Sequence, residues 1–129
     1  QLRVSDGDRV LCAATDLGHA SAHVIAHLRG AHALLLESNH DAALLEASTY
    51  PAFLKRRVAG DRGHLSNAAA AQLLAHINHP SLGHVVAAHL SERNNQPALV
   101  SAALSAALGR HTADVLLANA GYGCDWLTV

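Results

Sequence analysis

The sequence of 129 residues contains no methionine, two cysteines and only four aromatic residues. Because it lacks methionine and begins with Gln1, we expect the chain to be the C-terminal part of a longer protein, or the surviving part of a cleaved one. With so few aromatics, the core has to be built from leucine, valine, isoleucine and alanine. The length suits one domain with one core.

Other absences narrow the class of protein. Cys12 and Cys124 form neither a Cys-x-x-Cys pair nor a disulfide framework, which favours a reducing compartment. No signal peptide is visible and no apolar run is long enough to span a membrane, so we expect a cytoplasmic protein without membrane contact. The formal net charge of −1 gives no whole-chain basic field that would attract nucleic acid.

Short apolar runs alternate with helical segments along the chain, and this alternation predicts an α/β fold. The expected strands are residues 1–4, 9–15, 33–37, 84–88 and 114–118, with 126–129 as a further candidate. The expected helices are residues 22–28, 42–47, 51–58, 67–77 and 97–108, each preceded by a capping side chain or opened by proline.

Polar side chains stand at the ends of three expected strands. Asp16, Glu37 and His89 each end or follow an apolar run, and groups at the ends of neighbouring strands can converge on one site. Aspartate and neutral histidine are both ligands for zinc or manganese. A catalytic zinc site needs at least three protein ligands, and the chain offers two good ones, so the pattern indicates half of a metal site.

A second feature is the stretch Gly63-His64-Leu65-Ser66-Asn67. Ser66 can cap the helix that follows, which fixes His64 just outside the helix N-terminus, where negative charge is favoured. A histidine held there could donate a proton to an anionic or developing-oxyanion group. The other interpretation is that His64 only helps to cap a loop.

Two further groups of side chains have open interpretations. Three histidines recur at a spacing of four residues and could bind metal, or could form a plain, partly exposed helix face; they are His19, His23 and His27. The one basic cluster could contact a nucleic-acid backbone, or could be a solvated face; it consists of Lys55, Arg56, Arg57 and Arg62.

Five short motifs in fixed order are more specific than any one of them. They are Thr15-Asp16-Leu17-Gly18, Leu36-Glu37-Ser38-Asn39-His40-Asp41, Tyr50-Pro51, Gly63-His64-Leu65-Ser66-Asn67, and His89-Leu90-Ser91 with Asn94-Asn95. Over roughly residues 10–100 the sequence resembles the C-terminal half of the metallo-β-lactamase-fold hydrolases. The resemblance is to the YycJ/WalJ-like branch, which is related to ribonuclease Z and to the phosphodiesterases of phosphonate metabolism.

The resemblance implies a role for each strand-end residue. Asp16 matches the aspartate that bridges two metal ions, zinc or manganese, and His89 matches the last histidine ligand. His64 matches the histidine that acts as general acid or contacts the scissile phosphate, and Glu37 matches the acidic partner that orients it.

The same resemblance implies that residues 1–129 are the C-terminal half of an αββα sandwich. The N-terminal His-x-His-x-Asp-His motif and a separate histidine ligand are absent from the sequence. We therefore expect this chain alone to bind metal poorly and to turn over no substrate. We also expect it to need a partner, either the missing N-terminal half or a second copy in a homo-oligomer.

The function expected from these features is that of a metal-dependent phosphodiesterase, with nuclease activity on DNA or RNA as the favoured substrate class. Two alternatives remain open. The first is hydrolysis of a small cyclic phosphate or a thioester on the same scaffold. The second is a non-catalytic half-domain that acts by pairing with another chain.

Overall fold

The computed structural model describes residues 1–109 and 114–129 and contains five strands and five helices in that part of the chain. The strands are β1 (Leu2–Ser5), β2 (Val10–Ala14), β3 (Ala33–Glu37), β4 (His84–Ala88) and β5 (Val115–Leu117). The helices are α1 (Ala22–Leu28), α2 (Ala42–Ala47), α3 (Ala52–Val58), α4 (Asn67–Ile77) and α5 (Pro97–Leu108). The expected α/β class is confirmed.

The strands form one sheet in the order β1-β2-β3-β4-β5. β1 pairs with β2 in antiparallel orientation, whereas β2, β3, β4 and β5 are mutually parallel. Because the four parallel strands run in one direction, their carboxyl ends lie together at one edge of the sheet. Functional groups of α/β proteins are found at this edge.

Side-chain alternation directs one face of the sheet into an aliphatic core. The residues of this face that belong to the core include Cys12, Leu34, Leu36, Val85 and Val115. They pack with buried side chains of α1, α4 and α5, among them Leu28, Leu73, Leu74, Val100 and Leu104. The core contains no aromatic residue among those described, in agreement with the expectation from composition.

The opposite face of the sheet is apolar but open at one end. Leu2, Val4 and Leu11 are 56%, 49% and 42% exposed, and Leu35 is half-buried. The apolar run at residues 9–15 is not buried throughout, because Leu11 in β2 lies beside the exposed strand β1.

The candidate strand at residues 126–129 is not formed. The backbone of this segment makes a hydrogen bond with a side chain and not with a neighbouring strand. The carbonyl oxygen of Thr128 lies 2.9 Å from Nε2 of His84. Trp126 is fully exposed. An apolar run becomes a strand only when its backbone finds a partner, and the run itself does not supply one.

Cys12 lies inside the core, as expected for a small apolar residue. Burial raises the pKa of its thiol, against the opposing effect of Arg3. Arg3 also donates hydrogen bonds to the carbonyl oxygens of His27 and Arg29, so it fastens β1 to the C-terminal end of α1.

The longest helix among the described residues, α5, has twelve residues, and no described helix combines the length and apolarity needed to cross a bilayer.

Candidate metal and catalytic site

Asp16 and His89 follow β2 and β4 directly and have an unusual backbone conformation. Their φ angles are 52° and 57°, and no other non-glycine residue in the described part of the chain has positive φ. Such a conformation costs about 1–3 kcal/mol for a non-glycine residue and is found most often at functional sites. It turns the chain sharply at the strand end, next to Glu37, the last residue of β3.

Two glycines allow the loop before α4 to approach the end of β2. A Cβ on Gly18 would lie 2.2 Å from the carbonyl oxygen of Asp61, and a Cβ on Gly63 would lie 2.1 Å from that of Val58. Any side chain at either position would therefore push the backbone apart. The backbone N–H of His64 donates to the same Val58 carbonyl at 2.9 Å, which places His64 beside the turn at Asp16.

The carboxyl group of Glu37 is fully buried and makes three hydrogen bonds, and a fourth nitrogen lies close to it. One oxygen, Oε2, accepts from the backbone N–H groups of Leu17 and Leu65, at 2.9 and 3.2 Å. The other, Oε1, lies 2.8 Å from Nδ1 of His64 and 2.8 Å from Nδ1 of His89. Hydrogen bonds of this kind offset the cost of burying a carboxyl group.

The sequence predicted a contact of Glu37 with His64 alone, whereas in the structure Glu37 contacts both His64 and His89. The two imidazole rings stand edge to face, with centroids 4.9 Å apart. Nδ1 of each ring lies 3.6–3.7 Å from Oδ1 of Asp16, whose side chain is 72% exposed. The second contact of Glu37 could not be read from spacing, because it depends on β3 lying between β2 and β4.

These four residues suit a divalent metal ion. Among the described residues they form a group whose ligand atoms all lie within 4.8 Å of one another. Since Glu37 engages Nδ1 of His89, it leaves Nε2 of that ring free as a ligand, and a carboxylate behind the ring is the usual partner of a metal-bound histidine. Carboxylate and imidazole together are ligands that zinc and manganese accept.

His40 borders the site, and its surroundings lower the pKa of its imidazole. It is 2% exposed, and its Nδ1 has no hydrogen-bond partner among the described residues. Burial lowers the pKa of His40, the neighbouring His64 lowers it further, and Glu37 and Asp41 oppose both effects. The backbone carbonyl of His40 accepts from the N–H of Asn67, which joins this segment to the first turn of α4.

A buried amide network ties together the loops that carry the site. Asn67 and Asn95 bond each other through both amide groups, at 2.8 and 3.0 Å. The amide of Asn95 also donates to the carbonyl oxygens of Ser38 and Asn39. Asn39 in turn donates to the carbonyl oxygen of His89 at 2.8 Å. The network therefore links the loop after β3, the start of α4 and the loop after β4.

The side chain of Asn95 bonds the amide of Asn67 and the carbonyl oxygens of Ser38 and Asn39. Because each buried group left unpaired costs about 1–3 kcal/mol, we expect Asn95→Ala to lower the free energy of unfolding by about 2 kcal/mol or more. Urea denaturation of the complete protein measures it. Asn94→Ala is the matched control: Asn94 is equally buried, and its Oδ1 has no partner among the described residues. An equal loss in both variants would contradict the assigned role of the network.

The three histidines expected on one helix face do not share it. His19 precedes α1 and its Nδ1 lies 3.1 Å from the carbonyl oxygen of Asp61, while His23 and His27 stack at 6.3 Å between ring centroids. The expected helix face is therefore limited to two histidines, and neither is in the group of potential ligands described above.

The basic cluster lies at the C-terminal end of α3 and in the loop that follows. Arg56, Arg57 and Arg62 are exposed, and the amino group of Lys55 donates to the carbonyl oxygen of Glu46. Positive charge at a helix C-terminus complements the helix dipole, so the position also fits a solvated face. The structure leaves both interpretations of this cluster open.

No family model matches the chain, but comparison with known proteins gives matches to two related kinds of exodeoxyribonuclease. The chain is 36% identical over 103 residues to "Exodeoxyribonuclease YycJ" of Bacillus anthracis. This match covers 80% of this chain and 39% of that protein. The chain is 31% identical over 93 residues to "Exodeoxyribonuclease WalJ" of Streptococcus pneumoniae. This match covers 72% of this chain and 35% of that protein. The matches confirm the resemblance to the YycJ/WalJ-like branch, and they span 35–39% of the length of these curated relatives.

Proposed function

Because this chain is a relative of the YycJ and WalJ exodeoxyribonucleases, we propose that it is the C-terminal part of a metal-dependent nuclease that hydrolyses phosphodiester bonds of DNA. The observation that carries the proposal is the convergence of Asp16, Glu37, His64 and His89. Three of these residues end or follow neighbouring parallel strands, and the fourth precedes the capped helix α4.

In the proposed site Asp16 and His89 are metal ligands and His64 is not. Divalent metal ions bound there would supply the positive charge that stabilises an in-line attack on phosphorus. Glu37 holds both imidazoles by their Nδ1 atoms, so the Nε2 of His64 is the atom available to protonate the leaving oxygen. The free Nε2 of His89 supports its assignment as a ligand.

We further propose that residues 1–129 form the C-terminal half of a metallo-β-lactamase αββα sandwich. The support is the open face of the sheet, where Leu2, Val4 and Leu11 are exposed, whereas the other face packs against α1, α4 and α5 in the core. The N-terminal half, carrying a His-x-His-x-Asp-His segment, is the proposed occupant of this face and the source of the remaining metal ligands. A second copy of the chain is the alternative occupant.

The test of this activity uses the complete protein with manganese or zinc. We expect it to shorten linear DNA and to leave a cyclic nucleotide and a thioester essentially intact. Preference for a cyclic phosphate or a thioester would favour the other hydrolases considered for this scaffold, and no hydrolysis of any of them would favour the non-catalytic half-domain.

The test of the half-sandwich compares this chain with the complete protein by light scattering. We expect the chain alone to associate or aggregate through the face at Leu11 and the complete protein to hide that face. A stable, soluble monomer of this chain would contradict the missing-half interpretation. A stable dimer would favour a second copy as the occupant.

A further inference from the structure

A groove of about 920 Å³ begins at His89 and extends away from the candidate metal site. One wall is the loop between β4 and α5, including Leu90, Glu92 and Pro97. The other wall is the end of β5 and the turn after it, up to Tyr122. Ligand sites commonly have volumes of about 300–1,000 Å³, so the groove is large enough for a nucleotide.

The groove continues the row of strand ends that builds the site. Asp16, Glu37 and His89 mark the ends of β2, β3 and β4, and the groove lies at the ends of β4 and β5. His89 belongs to both the ligand group and the groove. A substrate whose phosphate reaches the candidate metal site therefore has its neighbouring sugar and base beside this groove.

Tyr122 is held at the rim of the groove by a closed turn. The backbones of Asn119 and Gly123 bond each other twice, at 2.7 and 2.8 Å. The side-chain oxygen of Asn119 also accepts from the N–H of Gly121 at 2.7 Å. The turn is therefore fixed by three hydrogen bonds, and it presents a tyrosine side chain that is 83% exposed.

The chemistry of the walls suits a base better than a phosphate. None of the described residues that line the groove is lysine or arginine, and Glu92 adds a carboxyl group that would repel phosphate. Leu90, Pro97 and Leu117 provide apolar surface instead. A nucleobase is flat and uncharged, and it stacks on exposed aromatic rings irrespective of its identity.

We propose that this groove binds the nucleobase next to the scissile phosphate and that Tyr122 is its stacking platform. The proposal rests on the proposed nuclease function and adds to it the part of the substrate that is recognised. Stacking on a ring tolerates every base, so the groove would select nucleotides over other phosphodiesters without selecting a DNA sequence.

Calorimetry on the complete protein tests the groove without requiring turnover. The probes are deoxyadenosine 5′-monophosphate and deoxyribose 5-phosphate, which differ only by the base. We expect the unsubstituted protein to bind the nucleotide about 5- to 150-fold more tightly, which is the usual contribution of one stacked base to affinity. Tyr122→Ala should remove most of this ratio, whereas Tyr122→Phe, which keeps the ring, should retain it.

Trp126→Ala is the matched control, because Trp126 is also fully exposed in the C-terminal segment but does not line the groove. It should leave the ratio unchanged. A ratio near one in the unsubstituted protein, or an unchanged ratio in Tyr122→Ala, would overturn the proposal. DNA hydrolysis by the unsubstituted protein is measured separately, so failure of the nuclease function and failure of base binding are distinguishable.

Discussion

We expect His64→Ala to lower the turnover of the complete enzyme about 10²–10⁴-fold while leaving its metal content nearly unchanged, since this is the usual contribution of a general acid. Its Nδ1 is bonded to Glu37 at 2.8 Å and its side chain is 30% exposed, so Nε2 is the atom that can reach a substrate. Initial rates and metal analysis on the same protein sample measure both quantities.

Asp16→Ala and His89→Ala provide the contrast, because removal of a ligand should lower metal occupancy as well as the rate. His76→Ala is the control for loss of a histidine: His76 is exposed on α4, and its Nδ1 lies 2.7 Å from the carbonyl oxygen of Gln72 on the same helix. If His64→Ala loses metal as Asp16→Ala does, the role assigned to His64 is wrong. Full activity with full metal would mean that His64 only supports its loop.

The elements of the fold were largely predictable because their signals are local. Ser66 accepts from the N–H of Ala69, and Asp41 accepts from Ala43 and Leu44, as their positions before α4 and α2 predict. Gly109 ends α5 with a φ of 65°, a conformation that glycine adopts without strain. Each of these contacts joins residues close together in sequence, so the sequence alone indicates them.

What could not be predicted depends on the pairing order of the strands. Glu37 reaches both histidines because β3 lies between β2 and β4, and Asn67 meets Asn95 across 28 positions of sequence. Neither contact has a periodic or spacing signal. Asn67 and Asn95 belong to the motifs on which the family resemblance rests. Only the structure shows that their amides join three loops.

The backbone conformation at Asp16 and His89, the two proposed metal ligands, could not be predicted from the sequence either. Aspartate and histidine adopt positive φ more often than most other non-glycine residues, but the conformation remains uncommon for both. That Asp16 and His89 share it, and are both strand-end residues of the candidate site, links the strain to function. The hydrogen bond from Asn39 to the carbonyl of His89 is one of the contacts that holds this conformation.

We expect Glu37→Gln to lower both the rate and the metal affinity of the complete enzyme, each by about 10–100-fold, the usual cost of losing the partner behind a metal-bound histidine. An amide has one accepting oxygen and one donating nitrogen, whereas two backbone N–H groups and two imidazole nitrogens surround the carboxyl group of Glu37. Either the two backbone N–H groups or the two imidazoles then face a donor. The imidazole rings can rotate more easily than the backbone can move. We therefore expect the variant to lose the orientation of the two imidazoles.

The sequence-based expectation is that Glu37 acts through His64 alone. In that case Glu37→Gln would reduce the rate modestly and leave metal binding intact, so metal affinity distinguishes the two predictions. Titration of the metal-free complete protein with Zn²⁺ or Mn²⁺ measures it, with Glu46→Gln, an exposed glutamate of α2, as the control for lost charge. If only the rate of Glu37→Gln falls, the contact between His89 and Glu37 contributes nothing to the metal site. If affinity and rate fall together, one buried carboxylate positions both the ligand His89 and the proton donor His64, at 2.8 Å from each.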